Sequence, residues 1–145
     1  MIYLGADHGG FSIKEKIKIF LDELKVEYQD LGNLKFDPQD DFPDPALAVA
    51  KKVVETSEKG TLVCTNGLGV SITANKVKGV RAALVTTKKV AEQSREHLDA
   101  NILCLPAHVI SFKDIKKIIK IWLETDFFEK EKYIRRLDKI KKIER

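Results

Sequence analysis

Cys64, in the run TLVCTNGLG at residues 61–69, is the side chain on which chemistry would turn. A short apolar run, Thr61-Leu62-Val63, delivers its thiol into a small polar loop, Thr65-Asn66-Gly67-Leu68-Gly69, and a helix-compatible stretch follows from about Val70. Two glycines let the chain turn tightly and let a ligand approach the backbone closely. The N–H groups at the start of a helix are unpaired and carry partial positive charge, so such a loop can hold an anion such as phosphate. A thiol beside an anion cradle points to chemistry on a small phosphorylated molecule. The plainer alternative is a structural junction, since free cysteine often packs as a small hydrophobe. Further groups suited to proton transfer or anion binding are Asp7-His8, after the apolar run IYLGA, and His108, after ILCLPA.

Positioning these groups requires strands and helices in alternation, and the periodicity supplies them. FSIKEKIKIFLDEL places Ile13, Ile17, Phe20, Leu21 and Leu24 on one helical face. VEYQDLG reads as a second strand, and PALAVAKKVVET as a second helix with Asp44 as its N-cap and Pro45 at its first position. TLVC is the third strand, with a helix after its Gly loop. RAALVT and the helix KKVAEQSREHL follow, then ILCLPA and the helix FKDIKKIIKIWLET. The last segment, EKEKYIRRLDKIKKIER, puts Tyr133, Leu137 and Ile140 on one side and reads as an arm helix.

Strand–helix alternation implies a parallel sheet covered on both faces. The expectation is a single α/β domain over residues 1–145, a Rossmann-like or flavodoxin-like three-layer sandwich with five strands and a basic C-terminal helix within 128–145. Ligands of such sheets sit beyond the carboxyl ends of the strands. That rim carries Asp7-His8, Cys64 with its loop, and His108, with the polar segment Asp40-Asp41-Phe42-Pro43-Asp44 beside them.

Composition narrows the class. Hydrophobic content of 43% and charged content of 33% describe a soluble globular protein. No apolar run approaches the ~20 residues of a membrane span, and MIYLGAD lacks the features of a signal peptide. Cys64 and Cys104 both follow apolar runs and read as reduced thiols, which points to the cytoplasm. The net charge of +4 is uneven: residues 130–145 hold eight Lys/Arg against three acids. No helix-turn-helix, zinc or aromatic stacking pattern accompanies that charge, so nucleic acid is not the expected partner. A solvated basic face, or cations that meet a substrate phosphate, accounts for it.

Moving a carbonyl between adjacent carbons needs one base to take a proton from one carbon and return it to the next, with donors for the enediolate oxygens. A thiolate can serve when positive surroundings favour its ionised form, and Asp7 and His8 could polarise or shuttle hydroxyl protons. No metal or cofactor is required. A cysteine-dependent phosphatase would want Arg six residues after the thiol, where this chain has Val70. The loop lacks the third glycine of a dinucleotide fingerprint. A receiver-type domain would want Asp in place of Cys64. Asp7, His8 and Cys64 have no zinc-type local spacing.

The chain resembles the family of type B ribose-5-phosphate isomerases and the related galactose-6-phosphate isomerase subunits. GADHGGFSIK near the start, DFPD at 41–44, CTNGLGVSITANKVKGVRAAL at 64–84, SREHLDANILCL at 94–105 and RRLDKI at 135–140 carry the resemblance over nearly the whole length. It implies a metal-independent aldose–ketose isomerase acting through an enediol, with ribose 5-phosphate and ribulose 5-phosphate as substrate and product. By position, Cys64 becomes the base and His97 the acid/base of ring opening. Asp7, His8 and Asp41 contact substrate, the loop Thr65, Asn66, Gly67, Leu68 and Gly69 serves the enediolate, and His108, Lys132 and Arg136 hold the phosphate. A sister isomerase for another pentose or hexose phosphate, such as allose or galactose 6-phosphate, or a phosphosugar binder with weak turnover, is the alternative.

Several positions depart from the family pattern. Thr65-Asn66-Gly67 stands where the family has Gly-Thr-Gly, and Leu98 where it has Asn after the ring-opening His. His108 replaces an Arg, and imidazole is charged only part of the time near neutral pH. Lys132 offers a point charge without the fork of Arg. Topology adds an expectation about assembly. His97 ends a helix running back to the amino ends of the strands, roughly 15 Å across the sheet from Cys64. If both serve one sugar, His97 must come from a second subunit, which implies a homodimer or dimer of dimers with shared sites.

Overall fold

The computed structural model describes all residues, 1–145. Its elements alternate as expected: β1 (Ile2–Ala6), α1 (Phe11–Glu23), β2 (Tyr28–Asp30), α2 (Pro43–Thr56), β3 (Lys59–Cys64) and α3 (Leu68–Ala74). There follow β4 (Ala82–Leu84), α4 (Lys88–Leu98), β5 (Ile102–Pro106), α5 (Phe112–Glu124) and α6 (Glu131–Lys141). The five strands are all parallel, in the order β2-β1-β3-β5-β4. A flavodoxin-type sheet ends β4-β5, so here the last two strands are exchanged and β4 becomes the edge. β1 and β5 are buried at every residue, which is why they read as unbroken apolar runs.

Two apolar layers sandwich the sheet. Ile17 and Leu21 of α1, Ala91 of α4, and Ile115, Ile118 and Trp122 of α5 pack on one face with Leu4, Leu103 and Leu105. Val49 and Val53 of α2, with Val70 and Ala74 of α3, pack on the other with Leu62, Ile102 and Cys104. Each large side chain buried this way stabilises the fold by about 1.5–3 kcal/mol. A Cβ at Gly60 would lie 2.6 Å from Val49 Cγ1, so helix and sheet approach more closely there than a side chain would allow.

Three boundaries differ from the sequence expectation. β2 covers only Tyr28–Asp30 of the strand-like run. α2 starts at Pro43, with Phe42 rather than Asp44 at its N-cap; Pro43 needs no N–H partner there, and Asp44 sits in the first turn, where the helix dipole favours an acid. α3 starts at Leu68, two residues earlier than the apolar pattern suggests, because Gly67 adopts φ +77° and turns the chain directly into the helix.

α1 also buries a charge. Lys14 is 0% exposed, and its Nζ donates to both Asp30 carboxylate oxygens at 2.8 Å and to the Asn33 carbonyl at 2.5 Å. Burial alone would push the Asp30 carboxyl up, but hydrogen bonds from Lys14, the Gly32 N–H and Lys18 outweigh it and hold Asp30 below its ordinary value. This pair ties the stretch after β2 to the first helix.

Candidate active site

At the carboxyl edge, three strand ends converge. β1 runs into buried Asp7, whose carboxylate accepts the Gly10 N–H at 3.2 Å. β3 ends at Cys64, 5% exposed, whose Sγ accepts the Gly67 N–H at 3.1 Å. β5 runs into a turn tied to β3: Ala107 N–H donates to the Cys64 carbonyl and His108 N–H to the Thr65 carbonyl, each at 2.9 Å. A Cβ at Gly9 would lie 2.1 Å from Thr65 Oγ1, so the Asp7–Gly10 turn and the Cys64 loop touch. Cys64, Asp7, His8, Thr65, Asn66, Gly67, Leu68, Gly69 and His108 thus share one rim. Two loop N–H groups are already engaged, Gly67 by the thiol and Leu68 by the Asn66 side-chain oxygen at 3.0 Å. The loop's free donating capacity is smaller than its sequence suggests.

The polar segment before α2 reaches the same rim, but through a neighbour of the expected residue. Asp41 is exposed, and its carbonyl begins α2 by accepting the Asp44 N–H at 3.3 Å. Asp40 is the acid that meets the site: its Oδ1 accepts the His8 backbone N–H at 3.0 Å and lies 2.7 Å from His8 Nδ1. That hydrogen bond, opposed by desolvation and helped by the nearby charges of Asp7, Asp40 and Asp37, raises His8 above an ordinary imidazole. Burial pushes Asp40 up, yet hydrogen bonds from the His8 side chain and backbone and from Asn33 hold it below its ordinary value. Asp7, His8 and Asp40 each place one donor atom within 4.8 Å of the others. His8 Nδ1 already faces Asp40 there.

The two thiols occupy different environments. Cys104, in mid-strand, is 0% exposed, and burial pushes its thiol well above the ordinary range, so it is a core residue. Cys64 ends its strand and meets polar groups.

His97, Lys132 and Arg136 lie elsewhere. His97 stacks on Tyr133 with ring centroids 4.8 Å apart and planes at 17°, and Lys132 Nζ and the Arg136 guanidinium lie 5.1 and 6.0 Å from that same ring. The end of α4 belongs to the amino edge of the sheet. The Arg81 side chain donates to the Leu98 and Asp99 carbonyls there, and the Asn101 carbonyl accepts the Gly60 N–H at the start of β3. β3, six residues long, separates the two edges by about 16 Å at ~3.3 Å per residue. Next to Leu98 at this end of α4 opens an apolar cleft of about 620 Å³, lined also by Val80, Ala82, Ala100, Ile140 and Ile143 among others. It lies away from Cys64.

A doubly covered parallel sheet with a thiol in a tight polar loop at its carboxyl edge defines an α/β enzyme scaffold with a candidate base in place. Comparison with known proteins narrows the class. Residues 2–140 match the family model described as Ribose/Galactose Isomerase, and the chain belongs to that family. Ribose-5-phosphate isomerase B of Mycobacterium tuberculosis is 31% identical over 145 residues, covering 99% of this chain and 90% of that protein. The solved ribose-5-phosphate isomerase B of Clostridium thermocellum superposes with a TM-score of 0.94 at 39% identity, covering 98% of this chain and 95% of that one. The Mycoplasma genitalium ribose-5-phosphate isomerase B, solved with bound ribulose-5-phosphate, gives 0.93 at 40% identity, covering 97% and 93%. No helix is long and apolar enough to cross a membrane.

Proposed function

We propose that this protein interconverts ribose 5-phosphate and ribulose 5-phosphate through an enediolate, with Cys64 as the base. The observation that carries the reading is the Cys64 thiol, held at the carboxyl edge of β3 against the turn that bears Asp7 and His8. As a thiolate, Cys64 takes the proton from C2 of the open-chain aldose, and the C2–H electron pair becomes the C1–C2 double bond. The proton then returns to C1, while O1 gains a proton and O2 loses one to become the ketone. Asp7 and His8 stand on the hydroxyl side of that exchange. Thr65, Asn66 and the remaining loop donors serve the enediolate oxygens, Asp41 borders the substrate, and His108, Lys132 and Arg136 bind the phosphate.

The split between the edges supports a site shared by two subunits. Leu68 and Ile72, beside Cys64, are 52% and 62% exposed, while Leu98, Ile140 and Ile143 beside His97 are 44%, 40% and 77% exposed. An isologous two-fold that sets one apolar group against the other brings His97, Lys132 and Arg136 of one subunit to Cys64 of its partner, twice per dimer. The assembly is then a homodimer or a dimer of dimers, and the protein, with two free thiols, works in the cytoplasm.

A second reading, a sister isomerase for another pentose or hexose phosphate, is favoured by exposed Leu98, which offers the sugar no hydrogen bond. Incubating the protein with a panel of aldose and ketose phosphates in deuterated water separates the two. Ribulose 5-phosphate formed from ribose 5-phosphate, with deuterium at C1, is the expected result. Deuterium exchange without product, or product from a hexose phosphate alone, overturns the assignment.

A further inference from the structure

The carboxyl edge contains one connection that the isomerase reading does not use. We propose that Asp40 is a positioning residue for His8, fixing the imidazole with Nδ1 turned inward and Nε2 presented to the phosphosugar, and that buried Lys14 holds Asp40 in place through Asn33.

The chain of contacts starts inside α1 and ends at the rim. Lys14 Nζ donates to the Asn33 carbonyl at 2.5 Å, and the Asn33 backbone N–H donates to the Ala6 carbonyl at 2.9 Å. Asn33 is thereby pinned between helix and strand. Its Nδ2 donates to Asp40 Oδ2, which leaves Oδ1 for His8. Oδ1 takes both the backbone N–H and Nδ1 of His8, at 3.0 and 2.7 Å. The Asp40 side chain is 8% exposed, whereas that of His8 is 42% exposed. The acid is therefore a support set beneath the ring, and the ring is the part that meets solvent or ligand.

A carboxylate accepts but does not donate, so the 2.7 Å contact requires a hydrogen on Nδ1. Neutral His8 then carries its lone pair on Nε2, and protonated His8 donates from Nε2. Nε2 has no protein partner. The acids facing the ring are Asp7 on its own turn and Asp40 and Asp37 on the segment before α2; together with the hydrogen bond they favour the imidazolium. A cation fixed in orientation at a phosphosugar site binds through a charge-assisted hydrogen bond, roughly twice as strong as a neutral one. His8 stays charged to higher pH than a free imidazole, and that advantage is lost as pH rises through its raised folded-state value. This assignment rests on the phosphosugar reading, since Nε2 needs an anionic or hydroxyl-bearing ligand to serve.

Three histidines make the ring spectrum easy to read, and His8→Gln identifies the His8 signals. In the full-length wild-type protein, long-range ¹⁵N–¹H correlation should show His8 titrating above 6.5, with Nδ1–H as its neutral tautomer. In Asp40→Ala the titration should fall to that value or below, and the neutral ring should revert to Nε2–H. Asp37→Ala, which removes a charge from the same segment without a contact to the ring, should leave the tautomer unchanged. With ribose 5-phosphate, Asp40→Ala should raise KM about ten-fold at a pH between the two His8 midpoints read from the spectra. That ratio should shrink towards one at a pH below both midpoints, where both rings are charged. An Nε2–H tautomer in the wild type overturns the Asp40 contact, and an equal KM ratio at both pH values reduces Asp40 to a loop support. Failure of the wild type to isomerise any sugar phosphate, with the spectrum as described, overturns the isomerase reading and the substrate half of this assignment, leaving the Asp40–His8 coupling standing.

Discussion

The two edges of the sheet hold their polar groups by different means. At the carboxyl edge backbone N–H groups hold three of the groups, Asp7 through Gly10, Cys64 through Gly67 and Thr65 through His108, and the Asp40 carboxylate holds His8. At the amino edge, His97 leans on an aromatic ring, and Lys132 and Arg136 are exposed cations on a helix whose one buried residue is Leu137. Proton transfer between adjacent carbons tolerates little positional error, so a base belongs on the edge where the backbone sets positions. The other edge carries an apolar cleft and exposed cations that no backbone contact fixes in the same way, and the shared-site proposal above is what would give them a role.

The sharpest way to break this contrast is Cys64→Ser. A serine hydroxyl is too weakly acidic to act as the base, so turnover of ribose 5-phosphate should fall by about 10³-fold while substrate still binds. Steady-state rates with binding by calorimetry read both, and near-normal turnover would remove Cys64 from the role. A second test concerns the sharing of sites. His97→Ala should lose about 10²-fold. Exchanging its subunits with those of Cys64→Ser should restore about a quarter of wild-type activity, because half the dimers are mixed and each holds one intact site. No recovery despite demonstrated exchange would place both residues in one chain.

Two smaller effects sharpen the comparison. Lys14→Met leaves the Asp30 carboxylate buried without its main partner and should cost about 3 kcal/mol at pH 7. Asp30 is depressed below 3.8 in the folded protein, so its contribution is present above that value and lost as pH falls through the folded-state value. The gap between wild type and variant in urea unfolding should therefore narrow below about pH 4. A constant gap would mean that lost packing, not the ion pair, causes the effect. The smallest expected effect is that of Cys104→Ala, about 1 kcal/mol of stability with unchanged turnover. A large loss of turnover there would erase the distinction between the two thiols.

Much of the carboxyl edge was legible in the chain itself. The runs that end at Asp7, Cys64 and Pro106 are continuous and apolar because both faces of a parallel sheet are covered, and that pattern marks strand ends without coordinates. Asp40 was not legible. The segment Asp40-Asp41-Phe42-Pro43-Asp44 offers three acids within five residues, and only the path of the backbone, pinned at Asn33, turns Asp40 rather than Asp41 towards His8. The start of α2 was misplaced for a related reason: Pro43 and Pro45 both suit a first turn, and propensity cannot rank them.

Local chemistry, read residue by residue, determined the alternation of strands and helices, the thiol at a strand end, the core placement of Cys104, and the opposite directions in which Cys64 and His97 must lie. Each depends on periodicity or on chain direction, which are properties of neighbours in sequence. Tertiary structure alone decided that β5 inserts between β3 and β4, that Lys14 is buried against Asp30, and that Asp40 supports His8. Parallel strands with similar apolar sequences pair equally well on paper. The order they take, and the partner a buried charge finds, follow from how whole layers pack, because a buried ion is tolerated only where the complete fold brings its counterion to it.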